Sequence, residues 1–127
     1  MSAYRVLHVE DEPDIRDVVN LSLALDPDLS VKSCESGADA LVAAEEWNPH
    51  LILTDVVMPV MDGPQLLAQL RRNSRTARIP VVFMTARAQS SEVERFIALG
   101  AAGVIAKPFD PLRLAASVRA CLDMDQN

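Results

Sequence analysis

Five short apolar runs, each followed by a longer stretch with apolar residues at helical spacing, constrain this chain more than any other feature. Tyr4 to Val9, Leu29 to Cys34, Leu51 to Asp55, Ile79 to Thr85 and Ala102 to Ala106 have strand length. The first shows no strict polar alternation, as expected of a central strand covered on both faces. After it Pro13 opens a helix, with Ile15, Val18, Val19, Ser22 and Leu23 on one stripe until Asp26-Pro27 stops it. Ser36-Gly37-Ala38-Asp39 reads as a capped start for Ala40, Leu41, Ala44 and Trp47, and Asn48-Pro49 ends that helix. Asp62-Gly63-Pro64 precedes Leu66, Leu67 and Leu70, with Arg71 and Arg72 near the negative end of the helix dipole. Ser91-Glu92-Val93-Glu94 resembles a capping box ahead of Phe96, Ile97 and Leu99, which Gly100 terminates. Asp110-Pro111 is expected to cap a last helix carrying Leu114, Val118, Cys121 and Leu122.

Strands alternating with helices imply an α/β fold: a parallel sheet with helices on both faces and right-handed crossovers. The economical topology is a flavodoxin-like doubly wound (βα)5 arrangement with strand order 2-1-3-4-5, in one domain over residues 1–127. Strands 1 and 3 are then neighbours at the topological switch point. Glu10, Asp11 and Asp55 converge there, and Thr85 and Lys107 arrive at the same edge.

Charge narrows the function. The net charge is -6 and the basic residues look scattered, so no basic face is expected to neutralise a nucleic acid or an anionic membrane. Cys34 and Cys121 lack metal-ligand spacing and lie in apolar-periodic segments, which suits reduced, buried thiols. No charged leader with an apolar core precedes the first strand, and no run approaches membrane-spanning length, so a cytoplasmic location is expected.

A carboxylate at a strand end, taken alone, suits a nucleophile, a metal ligand, a cap or a loop residue. Three carboxylates brought close repel one another unless a cation compensates them. Mg²⁺ fits, because it takes oxygen ligands and is usually held by one or two carboxylates together with phosphate and water. Glu10, Asp11 and Asp55 are the expected ligands, with the backbone carbonyl of Val57 as a further one. Beside such an ion Asp55 is a credible nucleophile toward phosphorus, giving an acyl phosphate. Lys107 and the Thr85 hydroxyl would bind phosphoryl oxygens. His8, flanked by Val6, Leu7 and Val9, reads as a packed histidine rather than a proton shuttle, and Met58 and Met61 read as loop packing.

Val9-Glu10-Asp11-Glu12, the run Asp55 to Gly63, Thr85-Ala86 and Lys107-Pro108-Phe109 together resemble the receiver domain of two-component response regulators, over essentially the whole chain. The resemblance implies a phosphorylation-controlled switch rather than a turnover enzyme. A histidine kinase or phosphotransfer protein would phosphorylate Asp55, with Mg²⁺ held by the acid pair Glu10 and Asp11. Thr85 and Lys107 would bind the phosphoryl group, and Lys107-Pro108 would be cis. A downstream protein target would read the change, and the chain would be a monomer or weak dimer. No output domain is expected after the last helix, so the chain is either a stand-alone receiver or one cut from a longer protein.

Three positions depart from the family pattern. Val104 stands where a switch aromatic is usual, which shifts the expected readout to the backbone after Thr85 and the helix that follows. Ala101-Ala102-Gly103 lacks the acids used by many dimerising receivers, and an apolar Val57 cannot orient water, so slow self-dephosphorylation is expected. A dehalogenase-like phosphatase would need an acid where Val57 stands. A flavin protein would need a phosphate loop after the first strand. A degenerate receiver acting as an interaction module is opposed by the intact Glu10, Asp11, Asp55, Thr85 and Lys107.

Overall fold

The computed structural model describes residues 3–125. Five parallel strands are ordered β2-β1-β3-β4-β5: β1 Tyr4–Val9, β2 Leu29–Cys34, β3 Leu51–Asp55, β4 Val81–Thr85 and β5 Gly103–Ala106. The helices are α1 Pro13–Leu23, α2 Gly37–Trp47, α3 Gly63–Arg72, α4 Ser90–Ala98 and α5 Leu114–Asp125. This is the expected flavodoxin-like topology. The register pairs Val9 with Thr54, Asp55 with Met84, and Thr85 with Ala106. The C-terminal ends of strands 1, 3, 4 and 5 therefore finish at one edge.

Side-chain alternation along the strands builds two apolar layers. Leu7, Val9, Ile52, Val81 and Phe83 face α2, α3 and α4, where Ala40, Leu66, Leu70 and Phe96 are buried. Val6, Leu51, Leu53, Val82 and Met84 face α1 and α5, meeting Val19, Leu23, Leu114 and Val118. Strands covered on both sides carry near-continuous aliphatic runs for this reason. The Phe83 and Phe96 rings meet edge to face, 5.1 Å apart at 81°. Such a pair contributes about 1 kcal/mol beyond its buried area and fixes α4 against β4.

Helix ends follow local chemistry. Ser36 caps α2 by accepting a hydrogen bond from the Asp39 amide, and Asn48 closes it in the left-handed conformation. Asp62 and Gln65 form a reciprocal capping box at α3. At α4 the expected capping box is missing: the helix begins at Ser90, two residues before the Glu92 start that a Ser91 cap implies, and no side chain caps it from Gln89. Ile97 and Leu99 are half exposed, leaving Phe96 as the buried residue of that helix. The last helix starts later than Asp110-Pro111 suggests. The Asp110 carboxylate accepts from the Leu112 amide at 2.9 Å, making a turn that precedes Leu114. β4 likewise begins after Pro80, whose ring offers the ladder no donor. Cys34 is buried, Cys121 is half-buried against Gly103, and both thiols are free. Among the described residues no helix is long and apolar enough to cross a membrane.

Candidate functional site

Four strand ends deliver one polar cluster. Where β1 stops, the Glu10 amide still donates to the Cys34 carbonyl of β2 at 3.0 Å, so Glu10 keeps the strand direction. By alternation it shares the face of Val6 and His8. Its side chain is 2% exposed and accepts from the Glu12 amide at 3.2 Å. Asp55 closes β3 beside it. Carboxylate oxygens of Glu10, Asp11 and Asp55 lie within 4.8 Å of one another. These three residues, with Val57, Thr85 and Lys107, line one cleft of about 530 Å³. The sequence-predicted site residues are thus all brought together.

Lys107 answers the negative charge. Its backbone amide extends the β4–β5 ladder to the Thr85 carbonyl at 2.8 Å. Its ammonium lies 3.0 Å from Asp55 Oδ2 and 3.4 Å from Glu10 Oε1. The following peptide bond, to Pro108, is cis. Burial works against the Lys107 charge, but the hydrogen bond and charge of Asp55, joined by those of Glu10, outweigh it and hold its pKa above the usual lysine value. Glu10 is pushed up, first by burial and then by its neighbours Asp55 and Asp11. Its carboxylate is therefore under-compensated by Lys107 alone. The Thr85 hydroxyl oxygen accepts from the Arg87 amide at 3.0 Å, which leaves its own proton available to an incoming acceptor.

Thr54, Gly63 and Arg16 also shape the site; sequence reading placed Gly63 in the loop after β3 without a steric role and missed Thr54 and Arg16. Thr54 is buried, and its hydroxyl donates to the Asp55 carbonyl at 3.1 Å. A lone hydroxyl inside an aliphatic strand was the available signal. The Gly63 amide returns to the Val56 carbonyl at 2.8 Å and closes the loop after β3. A Cβ at Gly63 would stand 2.8 Å from the Asp55 carbonyl oxygen. Arg16 of α1 donates from Nη1 to the Glu10 carbonyl at 2.8 Å.

The expected packing residues hold their places. His8 is 1% exposed, and Met58 is buried in the core. Met61 covers Gly37, where a Cβ would come within 2.7 Å of its sulfur. Val57 and Val60 instead project from the rim, 79% and 103% exposed. Val60 is the centre of a three-residue turn: its φ is +69°, and the Met61 amide donates to the Pro59 carbonyl at 2.7 Å. Val104 is half-buried and packs against the core beside Phe83.

The family profile of the response regulator receiver domain matches residues 6–119. The chain belongs to that family. Its fold and its acidic edge are those of a receiver domain of two-component systems, which are signalling switches rather than conventional enzymes. The receiver is 35% identical over 121 residues to the response regulator Rre1 of Synechocystis, covering 95% of this chain and 52% of that protein. It is 37% identical over 120 residues to the phosphate regulon transcriptional regulatory protein PhoB of Escherichia coli, covering 94% of this chain and 52% of that one. Among solved structures, the chemotaxis response regulator CheY4 of Vibrio cholerae superimposes with a TM-score of 0.85 at 28% identity, covering 94% of this chain and 99% of that one. The receiver spans about half the length of the curated relatives it matches.

Proposed function

We propose that this receiver takes a phosphoryl group onto Asp55 from a histidine kinase or phosphotransfer protein and signals through altered protein contacts. The observation that carries the reading is the Asp55 carboxylate, 3.0 Å from the Lys107 ammonium, in a cleft it shares with Glu10, Asp11 and Thr85. An Asp55 oxygen attacks the phosphorus of a phosphohistidine. The P–N bond breaks with its electron pair going to the imidazole nitrogen, and Asp55 becomes an acyl phosphate.

Mg²⁺ fits the donor set, since three close carboxylate oxygens exceed what one ammonium compensates. Glu10, Asp11 and Asp55, with the Val57 carbonyl, would hold it. When bound, the ion neutralises charge between the carboxylates and the phosphoryl oxygens. Lys107 orients the incoming phosphoryl group as a point charge. Thr85 donates its hydroxyl proton to a phosphoryl oxygen. Because the same hydroxyl holds the Arg87 amide, its movement pulls on the segment leading into α4. That backbone link supports a readout which does not depend on a switch aromatic at Val104. Val57 offers no polar group to water at the rim, in keeping with slow loss of the phosphoryl group. We place the protein in the cytoplasm as a monomer or weak dimer with a downstream protein target and no direct contact to nucleic acid or membrane.

Intact-mass spectrometry after treatment with acetyl phosphate and Mg²⁺ tests the central step. The expected result is one phosphoryl adduct on the native chain and none on Asp55→Asn. An adduct that persists in Asp55→Asn, or no adduct although Mg²⁺ binds, overturns the assignment and favours a phosphorylation-independent interaction module.

A further inference from the structure

Arg16 stands where a helix gains nothing from a cation. It is the fourth residue of α1, in the first turn, where the helix dipole disfavours positive charge. Even so its side chain is only 17% exposed, and it is directed onto the site. Nη1 donates to the Glu10 carbonyl at 2.8 Å, while Nη2 lies 4.0 Å from Glu35, which follows β2 and is 75% exposed. The Glu10 amide is held by the Cys34 carbonyl at 3.0 Å. Both polar groups of the Glu10 backbone are thereby engaged, one by the sheet and the other by Arg16. The peptide linking Glu10 to Asp11 fixes the directions in which both carboxylates leave the chain.

From this geometry we infer that Arg16 is the positioning residue of the acid pair: with one arm of its guanidinium fork toward Glu35, the other donates from Nη1 to the Glu10 carbonyl and sets the Glu10–Asp11 peptide so that both carboxylates face Asp55. The inference rests on the reading of that cluster as a Mg²⁺ site, and it goes beyond it by assigning a residue that touches neither metal nor phosphoryl group. Position and charge predict opposite outcomes. As a cation near the cluster, Arg16 weakens Mg²⁺ binding, so its loss would tighten it. As the clamp on the peptide that aims two ligands, it strengthens binding, and outer-shell partners of this kind are worth roughly ten-fold or more in metal affinity.

The test is Mg²⁺ titration of the full chain without phosphodonor, followed by the backbone amide NMR shifts of Asp11 and Asp55, for native protein, Arg16→Lys and Arg16→Met. Positioning predicts weaker binding in both variants, by roughly ten-fold for Arg16→Met, with no full rescue by Arg16→Lys, whose ammonium lacks the fork. Tighter binding in Arg16→Met with native affinity in Arg16→Lys overturns the inference, as does native affinity in both. Thermal melts in EDTA establish that the variants are folded at the titration temperature. If Arg16→Met does not fold, Arg16→Lys alone decides: native affinity there refutes the role of the fork. A native chain that shows no saturable shift refutes the metal reading itself.

Discussion

Acidification should cost this receiver stability through one buried imidazole. His8 lies on β1 directly before the acid pair, 1% exposed, with its Nδ1 buried and without a hydrogen-bond partner among the described residues. Burial, then the charges of Lys107 and Arg16, lower its pKa from 6.5 to about 4. The native state favours the neutral ring, so the contribution is complete above pH 6.5 and is lost as the pH falls from there toward about 4. The whole gap corresponds to about 3 kcal/mol, of which about 2 kcal/mol disappears between pH 7 and pH 5. The variant His8→Val removes this titration while keeping an apolar strand residue. His50 is also shifted down, by burial and then by Arg5, but it is present in both proteins and cancels in the comparison. Urea unfolding followed by circular dichroism and by the fluorescence of Trp47, the only tryptophan, measures the difference. The native chain should lose about 2 kcal/mol more than His8→Val between pH 7 and pH 5, a midpoint difference of about 1 M urea. Equal losses in the two proteins would refute the reasoning.

Two further outcomes follow from backbone geometry beside Asp55. Val60→Asn should stabilise the chain by about 1 kcal/mol and raise its melting temperature by a few degrees, because a wholly exposed β-branched residue at φ +69° is strained and loses no packing on replacement; a lower melting temperature would contradict this. Gly63→Ala should destabilise by about 2 kcal/mol, since the new methyl would meet the Asp55 carbonyl oxygen at 2.8 Å and the Val56 Cα at 3.1 Å, neither of which is a flexible side-chain end. Its labelling by acetyl phosphate should fall with it, and an unchanged melt would count against the tight approach.

What the sequence made legible is what burial dictates. Aliphatic runs such as Leu51-Ile52-Leu53 and stripes such as Leu66, Leu67 and Leu70 can only be buried, and right-handed crossovers leave few ways to arrange them. Once the strand order is known, Glu10, Asp55, Thr85 and Lys107 must meet. Helix starts were less legible, because several local devices can satisfy the same amides. Ser91 lies inside α4 rather than capping it, and Asp110 spends its carboxylate on a turn before α5. The supporting contacts were hidden altogether. Nothing in the spacing of Arg16 and Glu10 announces a guanidinium on a carbonyl, because the bond depends on how the chain bends between strand and helix. Nor does the pattern around Ile97 and Leu99 show that Ile97 of α4 and Leu99, which ends it, both turn toward solvent.

Glu10 and Lys107 are 97 residues apart in sequence yet joined at 3.4 Å. A cluster assembled from four strand ends has no counterpart in the unfolded chain, so any ion held there binds the native state alone and adds to its stability by mass action. Occupancy of the acidic cleft is therefore a gauge of how much of the population is folded. Core substitutions far from Asp55 that lower stability below the working range should reduce labelling in proportion to the folded fraction, without changing the chemistry of the molecules that remain native.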